Sequence, residues 1–588
     1  MSLLLVPETA AGRGSGHLRR AIRLQQLVPD AWILVRDPTE GVEEALREAE
    51  AARVLRVEAD GPVPERSWDR IVIDKFHVSI TEATELSRFA PTIGIDLGGP
   101  GRSYADYLID TLPRIDGETP NIADERFLDL PRAEANPPTS SGGTRHVLIS
   151  FGGEDPARLT EQTAALLAPG GSHHRVTVVR PVMRELGPIA AGVRVIPPQP
   201  SLAPVLESAD WVITSFGLTA YEAAALGRRV ITVAPTHYHD RLAARAGFYR
   251  AGVGRPAPWR LSRALATNAA HGPESGRWPG PDPEALASRR PLAEYIEDLA
   301  LPSVRGCPAH RGERGRAVRR SEDKTYFVCP RCGLVYMERF ARDEETYGES
   351  YFMDEYKAQY GKTYLDDFDH IYAMGVRRIR EIRSVMSGRQ RAPLRDRRPS
   401  LLDVGCAYGP FLAAARDAGF DPVGIDVAPE AVNYVNHSLE IRAVNAGILE
   451  VDADDLGRGQ FDVITLWYVV EHFDALAALL EKLCRLVRRG GVLALATPHG
   501  EGVSARRDPE GFYRRSPRDH FTIWSRASAR RLLAEYGFSV RRFVVTGHHP
   551  ERYPAVRRRL LPRGFARLHT RAFGWGDTFE IYAVKERS

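Results

Sequence analysis

The chain is 588 residues long and carries 80 basic and 76 acidic side chains, a formal charge of +4. That length exceeds what one hydrophobic core serves and points to several domains. The near balance of charge leaves no concentrated basic tail of the kind that nucleic-acid binding uses. Five cysteines, three of them clustered, argue against a disulfide framework and fit a reducing cytoplasm. The opening Met1-Ser2-Leu3-Leu4-Leu5-Val6-Pro7 lacks the basic start and apolar length of a signal peptide. With no later apolar run of about 18 residues, a soluble cytoplasmic protein without a membrane span is expected.

In chain order, residues 3–6 read as a short buried strand leading into Gly12-Arg13-Gly14-Ser15-Gly16-His17-Leu18-Arg19-Arg20 and a helix. Such a helix start offers free N–H groups and a positive dipole end to an anion. Strands at 31–35, 53–57, 71–73 and 92–95, several separated by helical spacers, continue a βα alternation. After the Pro-rich stretch 131–144 the pattern resets. A strand at 146–151 opens onto Gly152-Gly153-Glu154-Asp155-Pro156, and further strands fall at 175–179, 193–196 and 211–214.

The last of these runs into Thr214-Ser215-Phe216-Gly217-Leu218-Thr219-Ala220-Tyr221-Glu222, where Thr219 is expected to start a helix with Glu222 on its first turn. The expectation is two Rossmann-like lobes, residues 1–135 and 140–302, facing each other across a cleft, with a closing helix at 283–299. A histidine at a helix N-terminus, such as His17, is kept neutral by the dipole and can accept a proton near neutral pH. The plainer alternative is that His17 caps or packs.

Gly14-x-Gly16-His17-x-x-Arg20, Ile95-Asp96, Ser150-Phe151-Gly152-Gly153-x-Asp155-Pro156 and the run from Ser215 to Ala223 resemble the UDP-sugar hydrolase of pseudaminic acid biosynthesis and its spore-coat polysaccharide relatives. Those proteins share a two-lobe, glycosyltransferase-B-like fold with the MurG-type enzymes. The resemblance implies a UDP-sugar held by Gly14, Gly16, Gly152, Gly153, Leu218 and Thr219, with Glu222 on the uridine ribose and His17 activating water. Thr236-His237-Tyr238-His239-Asp240 stands where that family usually has an Asn-Gln pair. Hydrolysis, glycosyl transfer and simple nucleotide-sugar binding therefore all stay open for this half.

Cys307-Pro308-Ala309-His310 and Cys329-Pro330-Arg331-Cys332-Gly333 form two knuckles, with two intervening residues in each pair. Three thiolates and one imidazole make a closed tetrahedral zinc set, so residues 303–345 are expected to be a structural zinc ribbon. This ribbon, with the aromatic run Tyr347-Gly348-Glu349-Ser350-Tyr351-Phe352, resembles the lead-in of a group of S-adenosylmethionine (SAM)-dependent methyltransferases. Residues 387–399, with their arginines and two prolines, read as a second linker or an exposed loop.

Residues 346–588 open their βα series with Leu401-Leu402-Asp403-Val404-Gly405-Cys406-Ala407-Tyr408-Gly409, and the next strand ends Val423-Gly424-Ile425-Asp426. An acid about 20 positions past a glycine loop can accept both ribose hydroxyls of a nucleoside. The Asp-x-Gly-x-x-x-Gly form resembles the class I SAM methyltransferase loop. The resemblance implies Asp403, Gly405, Gly409 and Asp426 around SAM, Ala446-Gly447-Ile448 beside the adenine, and Glu471-His472 as the acid-His pair of small-molecule O-methyltransferases. His472 is a candidate base or orienter, and His520, in Asp519-His520-Phe521-Thr522-Ile523-Trp524-Ser525, is a second candidate base. The alternative for Glu471 and His472 is that they only fix a loop.

The whole reads as a bifunctional enzyme of surface-glycan biosynthesis. It would take SAM, structural zinc and a nucleotide-sugar or sugar substrate, with glycan-assembly proteins as possible partners. RNA methylation is the poorer reading, because no basic stripe with interleaved aromatics supports it.

Overall fold

A computed structural model describes residues 2–9, 16–59, 61–64, 66–115, 117–132, 145–152, 155–167, 174–181, 185–199, 201–266, 278–302, 305–310, 312–341, 361, 363–386, 398–549, 552, 556 and 562–586. Gly14, Gly153, the aromatic run 347–352 and most of the linker at 387–399 lie outside the described residues. The chain divides into two compact units, Met1–Leu299 and Ala300–Ser588.

The first unit contains two parallel sheets. β1 (Leu3–Pro7), β2 (Trp32–Arg36), β3 (Val54–Val57), β4 (Arg70–Asp74), β5 (Thr92–Ile95), β6 (Tyr107–Asp110) and β7 (Ile122–Ala123) pair in the order β3-β2-β1-β4-β5-β6-β7. β8 (Arg145–Ile149), β9 (His174–Val179), β10 (Arg194–Ile196), β11 (Trp211–Thr214), β12 (Arg229–Ala234) and β13 (Tyr249–Val253) pair as β10-β9-β8-β11-β12-β13. The central strands are fully buried and apolar but for polar residues at their ends, Arg70 and Asp74 on β4 and Thr214 on β11, as helices on both faces of a parallel sheet require. In each sheet the order reverses beside the first strand, opening a crevice at the carboxyl ends of the strands.

Two local expectations need correction. The closing helix is two short ones, Pro283–Ala287 and Leu292–Asp298, because Pro291 has no N–H to continue the first and instead starts the second. The helix after β11 runs Leu218–Ala225 with Gly217, at φ +155°, as its cap. Thr219 is therefore its second residue, and Glu222 lies one turn inside rather than on the first turn.

In the second unit β14 (Arg316–Ser321), β15 (Lys324–Val328) and β16 (Val335–Arg339) form an antiparallel meander. There follow β17 (Ser400–Val404), β18 (Asp421–Asp426), β19 (Ala443–Asn445), β20 (Phe461–Trp467), β21 (Val487–Pro498), β22 (Thr522–Ile523), β23 (Phe538–Thr546) and β24 (Thr578–Lys585). The large sheet has the order β19-β18-β17-β20-β21-β24-β23, parallel except that β24 runs antiparallel to both neighbours. β22 leaves that sheet and pairs with β16, placing Tyr336 opposite Thr522. One continuous core holds Cys329, Leu334 and Phe327 of the meander together with Leu402, Leu466, Leu483 and Trp524. The cysteine-bearing meander is thus packed into the αβ domain as part of its wall. Among the described residues no helix is long and apolar enough to cross a membrane.

A buried ion cluster ties the helix Phe368–Val385 to β24. The Glu580 carboxylate, fully buried, accepts from Arg377, from Arg378 Nε at 3.0 Å and from the Tyr582 hydroxyl at 2.8 Å. Burial alone would raise its pKa, but the two guanidinium groups outweigh that and hold it below the ordinary value. Its contribution to stability is therefore present above the unfolded pKa and is lost as pH falls through the folded one. Glu580→Ala strands the buried Arg378 charge, and a loss of about 3–5 kcal/mol is expected in urea unfolding at neutral pH. The deficit relative to wild type should shrink below about pH 4.

Candidate functional site

The large sheet of the second unit reverses its order between β17 and β20, and the groups that emerge there form the candidate site. After β17 the chain turns through Gly405 (φ +72°), Ala407 (φ +46°) and Gly409 (φ +75°) into the helix Pro410–Asp417. These left-handed conformations favour glycine. A Cβ on Gly405 would lie 2.5 Å from Val469 Cγ2, and one on Gly409 would lie 2.8 Å from both Leu439 Cδ1 and Val435 Cγ2. The two glycines therefore let the loop pack against its own protein. Sequence reasoning assigned that close approach to a ligand.

Asp426 ends β18 with its carboxylate turned to this loop, accepting from Ala407 N–H at 2.8 Å and Ala428 N–H at 3.0 Å. Burial raises its pKa. Asp403, on β17 one strand away, accepts from the Thr465 hydroxyl at 2.6 Å. Burial pushes its pKa up to about 8. Ala446 and Gly447 follow β19, with Ala446 N–H donating to the Asp426 carbonyl.

At the end of β20 the turn Val470–His472 presents Glu471 and His472. The Val469 side chain that closes on Gly405 immediately precedes it. His472 Nδ1 is paired with Asp519 Oδ2 at 2.8 Å, and the His520 ring stands edge-on to the His472 ring with centroids 4.8 Å apart. Glu471 is 1% exposed, and neither of its oxygens makes a hydrogen bond of ordinary geometry. Its burial pushes the carboxyl up to about 7, and burial with the neighbouring His472 takes His520 down to about 4. For His472 burial acts downward, but Asp519 and Glu471 outweigh it and raise the pKa. The two histidines expected at the rim are thus brought together, with Asp519 as a partner that sequence reasoning did not single out.

Cys307, His310, Cys329 and Cys332 converge with all four ligand atoms within 4.8 Å of one another. His310 Nδ1 is 3.6 Å from Cys307 Sγ and 3.5 Å from Cys329 Sγ, close to the edge of a tetrahedron with metal bonds of about 2.0–2.3 Å. The other ring nitrogen, Nε2, faces Glu535 Oε2 at 3.0 Å, at the end of the helix Arg526–Glu535. A carboxylate in that position fixes a ligand's tautomer and ring angle. That helix is started by a capping box between Ser525 and Ser528.

In the first unit His17 is the second residue of the helix Gly16–Leu27. Its Nδ1 meets Asp74 Oδ1 at 2.5 Å, and the Phe76 ring packs edge-on at 4.3 Å. Arg20 bridges Asp74 at 3.0 Å and Asp96 at 2.7 Å, and Asp96 also accepts from the Thr111 hydroxyl and N–H. Asp74 was missed at the level of sequence, although an acid closing the buried strand Arg70-Ile71-Val72-Ile73-Asp74 is the same signal that singled out Asp426. Gly152 turns at φ +81°, and Asp155 caps the helix Leu159–Leu167 by accepting from Leu159 N–H and Thr160 N–H. Leu218 is exposed, Thr219 and Glu222 are half-buried, and burial raises the Glu222 pKa, with Arg19 pulling against it.

Residues 376–542 match the family model described as a methyltransferase domain. The chain is 32% identical over 101 residues to the ubiquinone biosynthesis O-methyltransferase of Leptothrix cholodnii, covering 16% of this chain and 43% of that one. It is 35% identical over 103 residues to the protein of the same name from Pseudomonas paraeruginosa, covering 17% and 44%. The chain thus spans less than half the length of these curated relatives. Among solved structures, a SAM-dependent methyltransferase from Archaeoglobus fulgidus aligns at 15% identity and TM-score 0.28 over 39% of this chain and 98% of that one. A complex of the Haloferax volcanii Trm112 methyltransferase activator with a methyltransferase partner aligns at 17% identity and TM-score 0.30, covering 42% and 100%.

Asp403 supplies a test of the site's electrostatics. A carboxyl whose folded pKa is raised from 3.8 to about 8 costs stability progressively as pH climbs through that interval. Asp403→Asn, which keeps an acceptor for Thr465, should therefore melt higher than wild type at pH 8 by about 2–4 °C per kcal/mol recovered. The two melting curves should converge toward pH 4.

Proposed function

With its carboxyl-terminal region a class I SAM-dependent methyltransferase domain, we propose that this protein methylates a hydroxyl or amine of a sugar or sugar-derived small molecule. The observation that carries this reading is Asp426, which stands at the crevice with its carboxylate drawn up against the turn between Gly405 and Gly409. Each Asp426 oxygen accepts one backbone N–H and has a further lone pair, the chemistry that a ribose diol needs. Asp403, buried one strand away, would face the cationic methionine end. When bound, SAM supplies an electrophilic methyl group on a sulfonium. The protein's share is to orient the acceptor and draw off its proton, and Glu471, His472 and His520 line the rim where that would happen.

The Cys307, His310, Cys329 and Cys332 set is assigned to structural zinc, since four protein ligands leave no position open for chemistry. For the first unit, the reading favoured is a UDP-sugar site in which His17 is the base that activates water. The His17 and Asp74 pairing supports it: a carboxylate on Nδ1 leaves Nε2 to take a proton. Glycosyl transfer or binding alone would use the same loops.

Isothermal titration of the full chain with SAM should show binding that Asp426→Ala weakens at least tenfold, and mass analysis with a panel of UDP-sugars should show a product heavier by one methyl group. No heat from SAM and no methylated product would sink the proposal. In the same reactions His17→Ala should abolish UDP release and leave SAM binding unchanged. Equal release by that variant would remove His17 as the base.

A further inference from the structure

Glu471, His472 and His520 form a second group whose ligand atoms all lie within 4.8 Å of one another, separate from the cysteine knuckles. We propose that these three side chains hold a divalent cation at the rim of the methyltransferase crevice, and that this cation binds the acceptor oxygen.

Three observations meet here. The donor set, two imidazoles and one carboxylate, supplies three ligands and so leaves coordination positions open, unlike the four-ligand cysteine site. The Glu471 carboxylate is 1% exposed with the Thr497 hydroxyl beside it, yet neither oxygen has a hydrogen bond of ordinary geometry, which is costly unless another group completes it. Asp519, 2.8 Å from His472 Nδ1, supplies the outer carboxylate that metal-bound histidines usually carry.

The place also suits the role. The turn Val470–His472 follows β20 at the switch point, and Val469 just before it packs on Gly405. An oxygen bound to the cation would lie beside the glycine loop. Coordination lowers a hydroxyl's hold on its proton, which passes to water, so His520 is then a ligand and not the base. This role rests on the methyltransferase reading, whereas the cation site does not.

Manganese titration of the full-length protein, followed by the electron paramagnetic resonance of free aquated Mn²⁺, tests it, because Mn²⁺ is a poor partner for thiolates and so reports on the nitrogen and oxygen site. Wild type should take up one Mn²⁺ beyond any metal it was purified with. Glu471→Gln and His520→Ala should each weaken uptake by more than tenfold, and Asp519→Asn by about 10- to 100-fold, with circular dichroism spectra like wild type. Uptake of equal stoichiometry and affinity by wild type and Glu471→Gln would overturn the proposal, as would no uptake by wild type. Calorimetry with SAM on the same samples separates the two readings. Mn²⁺ uptake without SAM binding upholds the cation site and sinks the methyltransferase reading. SAM binding with no site-specific Mn²⁺ uptake does the reverse.

Discussion

Two peptide N–H groups, of Ala407 and Ala428, converge on the carboxylate of Asp426, and the architecture of the second unit depends on that convergence. An acid at the end of a buried strand is costly to keep there. The Asp426 carboxylate offsets part of that cost by holding the Gly405 to Gly409 turn and the start of the next helix at once. The turn can take its left-handed course because no Cβ stands at Gly405 or Gly409. Val469 closes over the turn from the neighbouring strand and carries Glu471 and His472 to the same rim. A change at any one of these positions would therefore be felt at the others.

The cysteine knuckles are bound into the same construction. Strand β22, from a loop late in the chain, pairs with β16, and Trp524 beyond it lies in the core shared by Cys329 and Leu466. Glu535 reaches from its helix to the ring of His310. His520, two residues before β22, owes its place beside His472 to that pairing. The meander thus supports the rim of the crevice as well as enclosing four ligands.

Much of the site was legible from residue order alone. The spacing from Gly405 to Asp426, the Glu471 and His472 pair and the two knuckles each sit within one local stretch, and short-range chemistry determines how such stretches fold. Asp74, Asp519 and Glu535 were not legible as partners, since each meets its histidine 57, 47 and 225 residues away in the chain. The break at Pro291 and the early helix start after Gly217 were misjudged for the opposite reason. There the local rule was available in the sequence, a proline without an N–H at 291 and a glycine able to take positive φ at 217.

By itself the sequence determined the alternation of strands and helices, the glycine turns and the acids that end strands, because backbone sterics and burial of apolar runs act over a few residues. Only the tertiary structure decided that the meander shares a core with the αβ sheet, and that the glycines clear space for Val469, Val435 and Leu439. It alone placed Glu471 buried beside two histidines without a hydrogen bond of ordinary geometry. Those outcomes depend on which distant strands become neighbours, and a sheet whose order reverses at β17 and β20 brings together groups that no local pattern links.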